Sequence, residues 1–166
     1  MVAGIDETRF PEEDAPTYVQ RLAHHKAEVV AQKKENRLVL GADTVVVIDG
    51  QILGQPQDPE DAERMLRQLS GKWHKVLTGV ALVRRGDGAC SLIAHESTRV
   101  HFAELTEEEL AWYVNTGEPM DKAGAYAIQG RAAAFIKELE GDYFNIVGLP
   151  VRRVYELLRE LERQSI

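Results

Sequence analysis

The sequence has one cysteine, few aromatic residues and no long apolar run. Cys90 is the only cysteine among the 166 residues. A single cysteine excludes an internal disulfide and is typical of a protein in a reducing compartment. No apolar run approaches the roughly 20 residues of a membrane-spanning helix. The N-terminus has neither the basic nor the apolar segment of a signal peptide. We therefore expect a cytoplasmic protein without a membrane partner.

Positive charge is also scarce. Lysine and arginine number 20 against 27 aspartates and glutamates, so the formal net charge is −7. A non-specific nucleic-acid surface needs a basic face, and we therefore expect no nucleic-acid partner. The five histidines do not combine with the cysteine at zinc-finger spacing, which argues against a structural zinc site. A small phosphate ligand remains compatible with an acidic chain, because a few local cations or backbone amides suffice to bind it.

What is present is an ordinary globular composition, 44% hydrophobic, in which strand and helix patterns alternate. Strands are predicted at residues 38–48, 51–53, 73–85, 90–102 and 132–139, and helices at 16–34, 59–69, 106–115 and from 150 onward. The last helix is predicted to direct five apolar residues inward: Val151, Val154, Leu157, Leu158 and Leu161. This order predicts an α/β fold, a mixed twisted β-sheet flanked by helices, in a single domain covering residues 1–166.

One aspartate stands out. Asp43 is the only charge in the run 38–48, whose other residues are apolar or small and predict a buried strand. A carboxylate there is costly unless it is paired, binds a metal or acts as a base. The alternative is an aspartate at a strand end or turn that accepts hydrogen bonds from nearby backbone amides.

A lysine interrupts the apolar stripe of the first predicted helix. Lys26 lies one turn after Leu22 and one turn before Val30. Its stem could cover apolar surface while its ammonium reaches water. The alternative is a cation directed into a site, and the sequence leaves both open.

Seven short strings then follow one another along the chain: Gly41-Ala-Asp-Thr44, Thr78-Gly-Val80, Gly117-Glu-Pro119, Asp121-Lys-Ala-Gly-Ala-Tyr126, Ile128-Gln-Gly130, Gly141-Asp-Tyr143 and Val147-Gly-Leu-Pro150. Each string is weak alone. In this order and at these spacings they resemble the Maf proteins, which are nucleoside triphosphate pyrophosphatases. Lys26-Ala27 also matches, and the resemblance runs from about Gly4 to the end of the chain.

The resemblance implies a fold like that of Maf proteins and inosine triphosphatases, with a nucleotide cleft. It implies hydrolysis of a nucleoside triphosphate to the monophosphate and pyrophosphate, with Mg²⁺ or Mn²⁺ as cofactor, in an intracellular homodimer. Asp43 matches the family's proton acceptor, and Lys26 and Lys122 are the candidate phosphate cations. Lys122 could instead pair with Asp121 or Glu118. The metal ligands stay undetermined, with Glu7, Asp43 and Asp121 all conceivable.

Two further residues concern the choice of base. Gln129 and Thr44 match positions that the family associates with substrate selectivity. The branch that prefers dTTP and UTP resembles this chain in having Asp-Lys-Ala-Gly-x-Tyr followed by a glutamine. A glutamine amide offers a donor and an acceptor, as the edge of uracil or thymine requires. Alternatively, Gln129 is a loop residue facing water. Thr44 carries a condition, because neighbours in a straight strand point to opposite faces and share a pocket with Asp43 only if the chain bends.

The sequence also departs from the family pattern. It has no Ser-x-Ser-Pro-Arg-Arg segment, and Gln55 stands where the family usually has a lysine. Either the reading frame begins earlier or the protein is a short form. We expect an N-terminally shortened domain that hydrolyses dTTP, UTP and modified pyrimidine nucleotides with low activity. The alternatives are a non-catalytic nucleotide-binding or septum-formation regulator and a 7-methyl-GTP pyrophosphatase.

Overall fold

The computed structural model describes residues 4–164. Five strands form one sheet in the order β2-β1-β3-β4-β5. The strands are β1 Val39–Ile48, β2 Gln51–Leu53, β3 Trp73–Arg84, β4 Cys90–Phe102 and β5 Ile136–Glu140. The α-helices are α1 Ala15–Ala31, α2 Pro59–Leu69, α3 Glu107–Asn115, α4 Tyr143–Val147 and α5 Val151–Gln164, with 3₁₀ turns at Glu118–Asp121, Ala123–Ala125 and Arg131–Phe135. Within this part of the chain, no helix is both long and apolar enough to cross a membrane.

The α/β class predicted from the sequence is confirmed, but the expected mixture of strand directions is not found. Every described pair of neighbouring strands is antiparallel. The reason lies in the order of the strands. β2 and β3 are connected through α2 and run in the same direction, yet β1 lies between them and pairs with both. The parallel relationship therefore exists without a parallel hydrogen-bonded pair.

Two glycines bring α1 into close contact with one face of the sheet. A Cβ added to Gly41 of β1 would lie 2.2 Å from the backbone oxygen of Ala23, and one added to Gly79 of β3 would lie 2.2 Å from that of Val19. No larger residue fits without moving the helix. The side chains between helix and sheet are accordingly small, and Ala23 and Ala27 are fully buried. This close packing fixes α1, and with it Lys26, against β1.

The opposite face of the sheet carries the main core. Val46, Val76 and Phe102 pack there against α2 and α3. Both helices begin as the sequence predicts. The Asp58 side chain accepts from the backbone of Asp61, and Thr106 forms a reciprocal capping box with Glu109.

The structure differs from the sequence prediction at three elements. The run 132–139 is not one strand, because Arg131–Phe135 forms a 3₁₀ helix before β5 begins. The five-residue helix α4 was not predicted, since it is shorter than two turns and shows no periodicity. In α5 only Leu157 is fully buried, while Val151 and Leu158 are exposed. The helix packs chiefly on β4 and β3, and part of its apolar stripe is left uncovered.

Candidate active site

A cleft of about 730 Å³ lies along an open edge of β1. β3 pairs with β1 over residues 39–47, whereas β2 pairs on the other side only with residues 46–48. Residues 39–45 therefore have no strand partner on that side within the described chain. The cleft occupies this space, and its size is that of a small-molecule site. All five residues singled out from the sequence line it: Lys26, Asp43, Thr44, Lys122 and Gln129.

Asp43 and Lys26 form an ion pair in the cleft. The Lys26 Nζ lies 2.5 Å from Asp43 Oδ1 and 2.8 Å from Glu7 Oε1. The Asp43 side chain is 10% exposed and the Lys26 side chain 25%. Of the two alternatives for Lys26, the structure therefore shows the ammonium directed into a site. Asp43 lies within a strand and accepts from this lysine, so the turn aspartate that the sequence left open is not found.

The surroundings of this pair change the acidity of both groups. Burial raises the pKa of the Asp43 carboxyl, and the hydrogen bond and charge of Lys26 offset that only in part. For Lys26, burial works against the ammonium, but the hydrogen bonds to Asp43 and Glu7 outweigh it, and its pKa is raised. At neutral pH the site thus holds a protonated lysine beside a carboxylate that is more basic than usual.

Thr44 points to the other face of the sheet yet lines the same cleft. Its register with β3 is regular, with Asp43 opposite Gly79 and Thr44 opposite Thr78. The condition stated from the sequence, that the two share a pocket only if the chain bends, is therefore wrong, because a cleft at an open edge reaches both faces of the strand. The Thr44 Oγ1 lies 2.9 Å from Thr78 Oγ1, and the Thr78 hydroxyl donates to the backbone oxygen of Asn145 at 3.0 Å.

Gln129 lies in a tight turn whose two ends are anchored. The turn runs over residues 127–130, with the amide of Gly130 bonded to the oxygen of Ala127. The Tyr113 hydroxyl accepts from the amide of Ala127 and donates to Glu118. Glu118 also accepts from the amide that follows the turn, that of residue 131. Gln129 itself is exposed at the cleft, and its amide makes no hydrogen bond with the rest of the described chain.

Lys122 lies at the rim. Its ammonium pairs with Asp121 at 2.7 Å, the ion pair that the sequence had left open, while Glu118 is engaged elsewhere. Gln55, the departure from the family pattern, also lines the cleft and donates to the backbone oxygen of Asp121 at 3.2 Å. A lysine at position 55 would therefore also point into this space.

Several residues of the site were not singled out from the sequence. Tyr18 lines the cleft and lies two helical turns before Lys26, a spacing that could have suggested it. Tyr126 and Gly148 line the cleft from segments whose strings matched the family but carried no role. Thr78 and Asn145 are buried behind Thr44, and only the strand pairing reveals them.

The possible metal ligands form a sparse set. Among residues 4–164 no three histidine, cysteine, aspartate or glutamate side chains come together as a preformed metal site. Asp43 and Glu7 both bind Lys26, so their carboxylates converge on one point. Asp121 is turned toward Lys122 instead.

Fold and site together define a class: an α/β protein with a buried acid and a cation in a cleft of nucleotide size. A family model described as Maf-like protein matches residues 1–161. The chain is 53% identical over 159 residues to a protein of Symbiobacterium thermophilum, covering 96% of this chain and 80% of that one. It is 53% identical over 160 residues to a protein of Pelotomaculum thermopropionicum, covering 96% and 83%.

A third relative, from a Geobacillus species, is 54% identical over 159 residues, covering 96% of this chain and 80% of its own. All three are named dTTP/UTP pyrophosphatase. The chain belongs to the Maf family. The match to these relatives favours neither the non-catalytic regulator nor the 7-methyl-GTP pyrophosphatase.

Proposed function

We propose that this protein is a nucleoside triphosphate pyrophosphatase that hydrolyses dTTP, UTP and modified pyrimidine nucleotides to the monophosphate and pyrophosphate. The observation that carries the proposal is the open edge of β1. Asp43 and Thr44 are adjacent, point to opposite faces and line one cleft. A nucleotide lying across this edge would have its α-phosphate at Asp43 and its base at Thr44. The names of the relatives supply the substrate class.

Asp43 is the general base in this proposal. It takes a proton from water while the water oxygen forms a bond to the α-phosphorus. The bond from that phosphorus to the bridging oxygen then breaks, and pyrophosphate leaves. A carboxyl with a raised pKa is a better base than an ordinary aspartate, which suits this role.

Lys26 and Lys122 are the phosphate cations. Lys26 already lies beside the base, where it can take up charge that develops on the α-phosphoryl oxygens. Lys122 is held by an exposed ion pair with Asp121. Exposed pairs contribute only about 0–1 kcal/mol, so a triphosphate can displace Asp121 at little cost.

Gln129 and Thr44 read the base. The Gln129 amide has no partner in the described structure and carries both a donor and an acceptor. Uracil and thymine present an N–H beside a carbonyl, and such an amide matches both. An unmatched buried polar group costs about 1–3 kcal/mol, enough to disfavour the wrong base.

A divalent metal is compatible with the donor set. Mg²⁺ commonly binds through one or two carboxylates together with substrate phosphates and water. Asp43 and Glu7 both contact the Lys26 ammonium, and these two carboxylates are the ones that would hold the metal. Such an ion lowers the pKa of a bound water and neutralises phosphate charge. Because the carboxylates number only two, we propose that the metal binds together with the substrate.

We further propose a cytoplasmic homodimer, as the family resemblance implies. Phe144 of α4 is exposed, and Val151, Tyr155 and Leu158 share one exposed side of α5. These apolar groups suit an interface with a second copy. Light scattering during size-exclusion chromatography tests this, and a monomer at micromolar concentration would contradict it.

The catalytic proposal is tested by Asp43→Asn. An amide cannot accept the proton, so pyrophosphate release from dTTP in the presence of Mg²⁺ should fall by roughly 100-fold or more. Asp87→Asn is the matched control, because Asp87 is exposed in a turn away from the cleft. Release at the parent rate by Asp43→Asn would show that Asp43 is not the base.

A further inference from the structure

A buried hydroxyl sets the direction of a hydrogen-bond chain that ends in the cleft. Thr78 is fully buried on β3 opposite Thr44. Its Oγ1 lies 3.0 Å from the backbone oxygen of Asn145 and 2.9 Å from Thr44 Oγ1. A carbonyl oxygen only accepts, so the one proton of the Thr78 hydroxyl is donated to Asn145. The bond between the two threonines must then be donated by Thr44.

This leaves Thr44 without a proton for the cleft. A hydroxyl has one donor and two acceptor positions, and the donor of Thr44 is used by Thr78. The lone pairs remain, and the space beside them is open. A Cβ added to Gly148, which also lines the cleft, would lie 3.6 Å from Thr44 Oγ1. Thr44 therefore presents an acceptor, and only an acceptor, to a bound ligand.

We propose that Thr78 is a positioning residue that sets base specificity through Thr44. This rests on the proposed function, in which Thr44 faces the base. Thymine and uracil carry a ring N–H that can donate a hydrogen bond to Thr44 Oγ1. Cytosine carries an unprotonated ring nitrogen at the same place, and two acceptors would then face each other. The buried threonine thus selects dTTP and UTP over dCTP and CTP without touching the substrate.

The Asn145 end of this hydrogen-bond chain is held in place by further hydrogen bonds, so the direction of donation from Thr44 to Thr78 to Asn145 is fixed. Asn145 is fully buried, and its Nδ2 donates to the backbone oxygen of Val76 at 2.9 Å and to Thr98 Oγ1 at 3.0 Å. The backbone oxygen of Asn145 also accepts from the amide of Gly148. Removing the Thr78 hydroxyl therefore leaves that oxygen with a partner, and Thr78→Val should fold.

Thr78→Val keeps the shape of the side chain but frees the proton of Thr44. The hydroxyl of Thr44 can then donate to cytosine and still accept from thymine. We expect the ratio of kcat/KM for dTTP over dCTP to fall roughly 10-fold, mainly because dCTP improves. Thr78→Ser keeps the hydroxyl and should keep the ratio. Thr98→Val is the matched control, a buried threonine bonded to Asn145 but not to Thr44, and should lower the melting temperature without changing the ratio.

Binding separates this inference from the catalytic proposal. Calorimetry gives the corresponding binding ratio, the affinity for a dUTP analogue over that for a dCTP analogue, when both carry a non-hydrolysable imido bridge between the α and β phosphates. A lower binding ratio in Thr78→Val supports the inference even if turnover is absent, and a higher one contradicts it. A preserved ratio in Thr78→Val, when Thr44→Val collapses it, overturns the inference alone. A ratio unchanged by Thr44→Val overturns the base-reading role of Thr44 and this inference together.

Discussion

Replacing Lys26 with methionine tests how the cation supports the base. The substitution keeps an unbranched apolar side chain on α1 and removes the ammonium that lies 2.5 Å from Asp43 and 2.8 Å from Glu7. A charge-assisted hydrogen bond is worth about 1.5–3 kcal/mol, and each 1.4 kcal/mol is a factor of ten. In the proposed transition state the Lys26 ammonium makes such a bond to an α-phosphoryl oxygen. Losing it should lower kcat/KM for dTTP roughly 10- to 100-fold.

The pH profile of this variant gives a second, independent signature. Burial already raises the pKa of Asp43, and the hydrogen bond and charge of Lys26 counteract it. Without Lys26 the carboxyl should hold its proton to higher pH, so the acid limb of the kcat/KM profile should move upward. Lys34→Met, on an exposed lysine after α1, is the control. A parent-like rate with an unmoved acid limb would refute the proposed coupling of Lys26 and Asp43.

Two further predictions concern the cleft residue Gln55 and the buried His74. Gln55→Lys places an ammonium in the cleft and should lower the KM for dTTP about 10-fold. Gln57→Lys, outside the cleft, is the control and should leave the KM unchanged. An equal KM for both variants would exclude position 55 from phosphate binding. Burial lowers the pKa of His74 from 6.5 to about 4. As the pH falls from 6.5 to 4, His74 therefore takes up a proton in the unfolded chain but stays neutral in the folded one. The free energy of unfolding should decrease by up to about 3 kcal/mol over this pH range. Melting curves should show a weaker pH dependence for His74→Gln, and an unchanged dependence would contradict the buried neutral imidazole.

Much of the fold follows from local chemistry. The hairpin between β1 and β2 is built on Asp49 and Gly50, both at positive φ as a two-residue turn requires. The caps at Asp58 and Thr106 begin their helices where the sequence predicts. These features depend on a few neighbouring residues, and the sequence therefore contains enough information to predict them.

The remaining features depend on contacts between distant segments. The short apolar run at 132–135 does not distinguish a strand from a 3₁₀ helix, and only its position before β5 decides. The shared cleft of Asp43 and Thr44 depends on how few residues β2 pairs with β1. The link from Thr44 to Thr78 crosses two strands, so no sequence spacing reveals it.

The most direct test of the account is the position of bond cleavage in ¹⁸O-water. The protein is incubated with dTTP and Mg²⁺, and both products are analysed by mass spectrometry. Attack of water on the α-phosphorus beside Asp43 predicts one ¹⁸O in dTMP and none in pyrophosphate, and Asp43→Asn should form labelled dTMP at least roughly 100-fold more slowly. Label in pyrophosphate or in inorganic phosphate would place the attack at another phosphorus and contradict the proposed reaction.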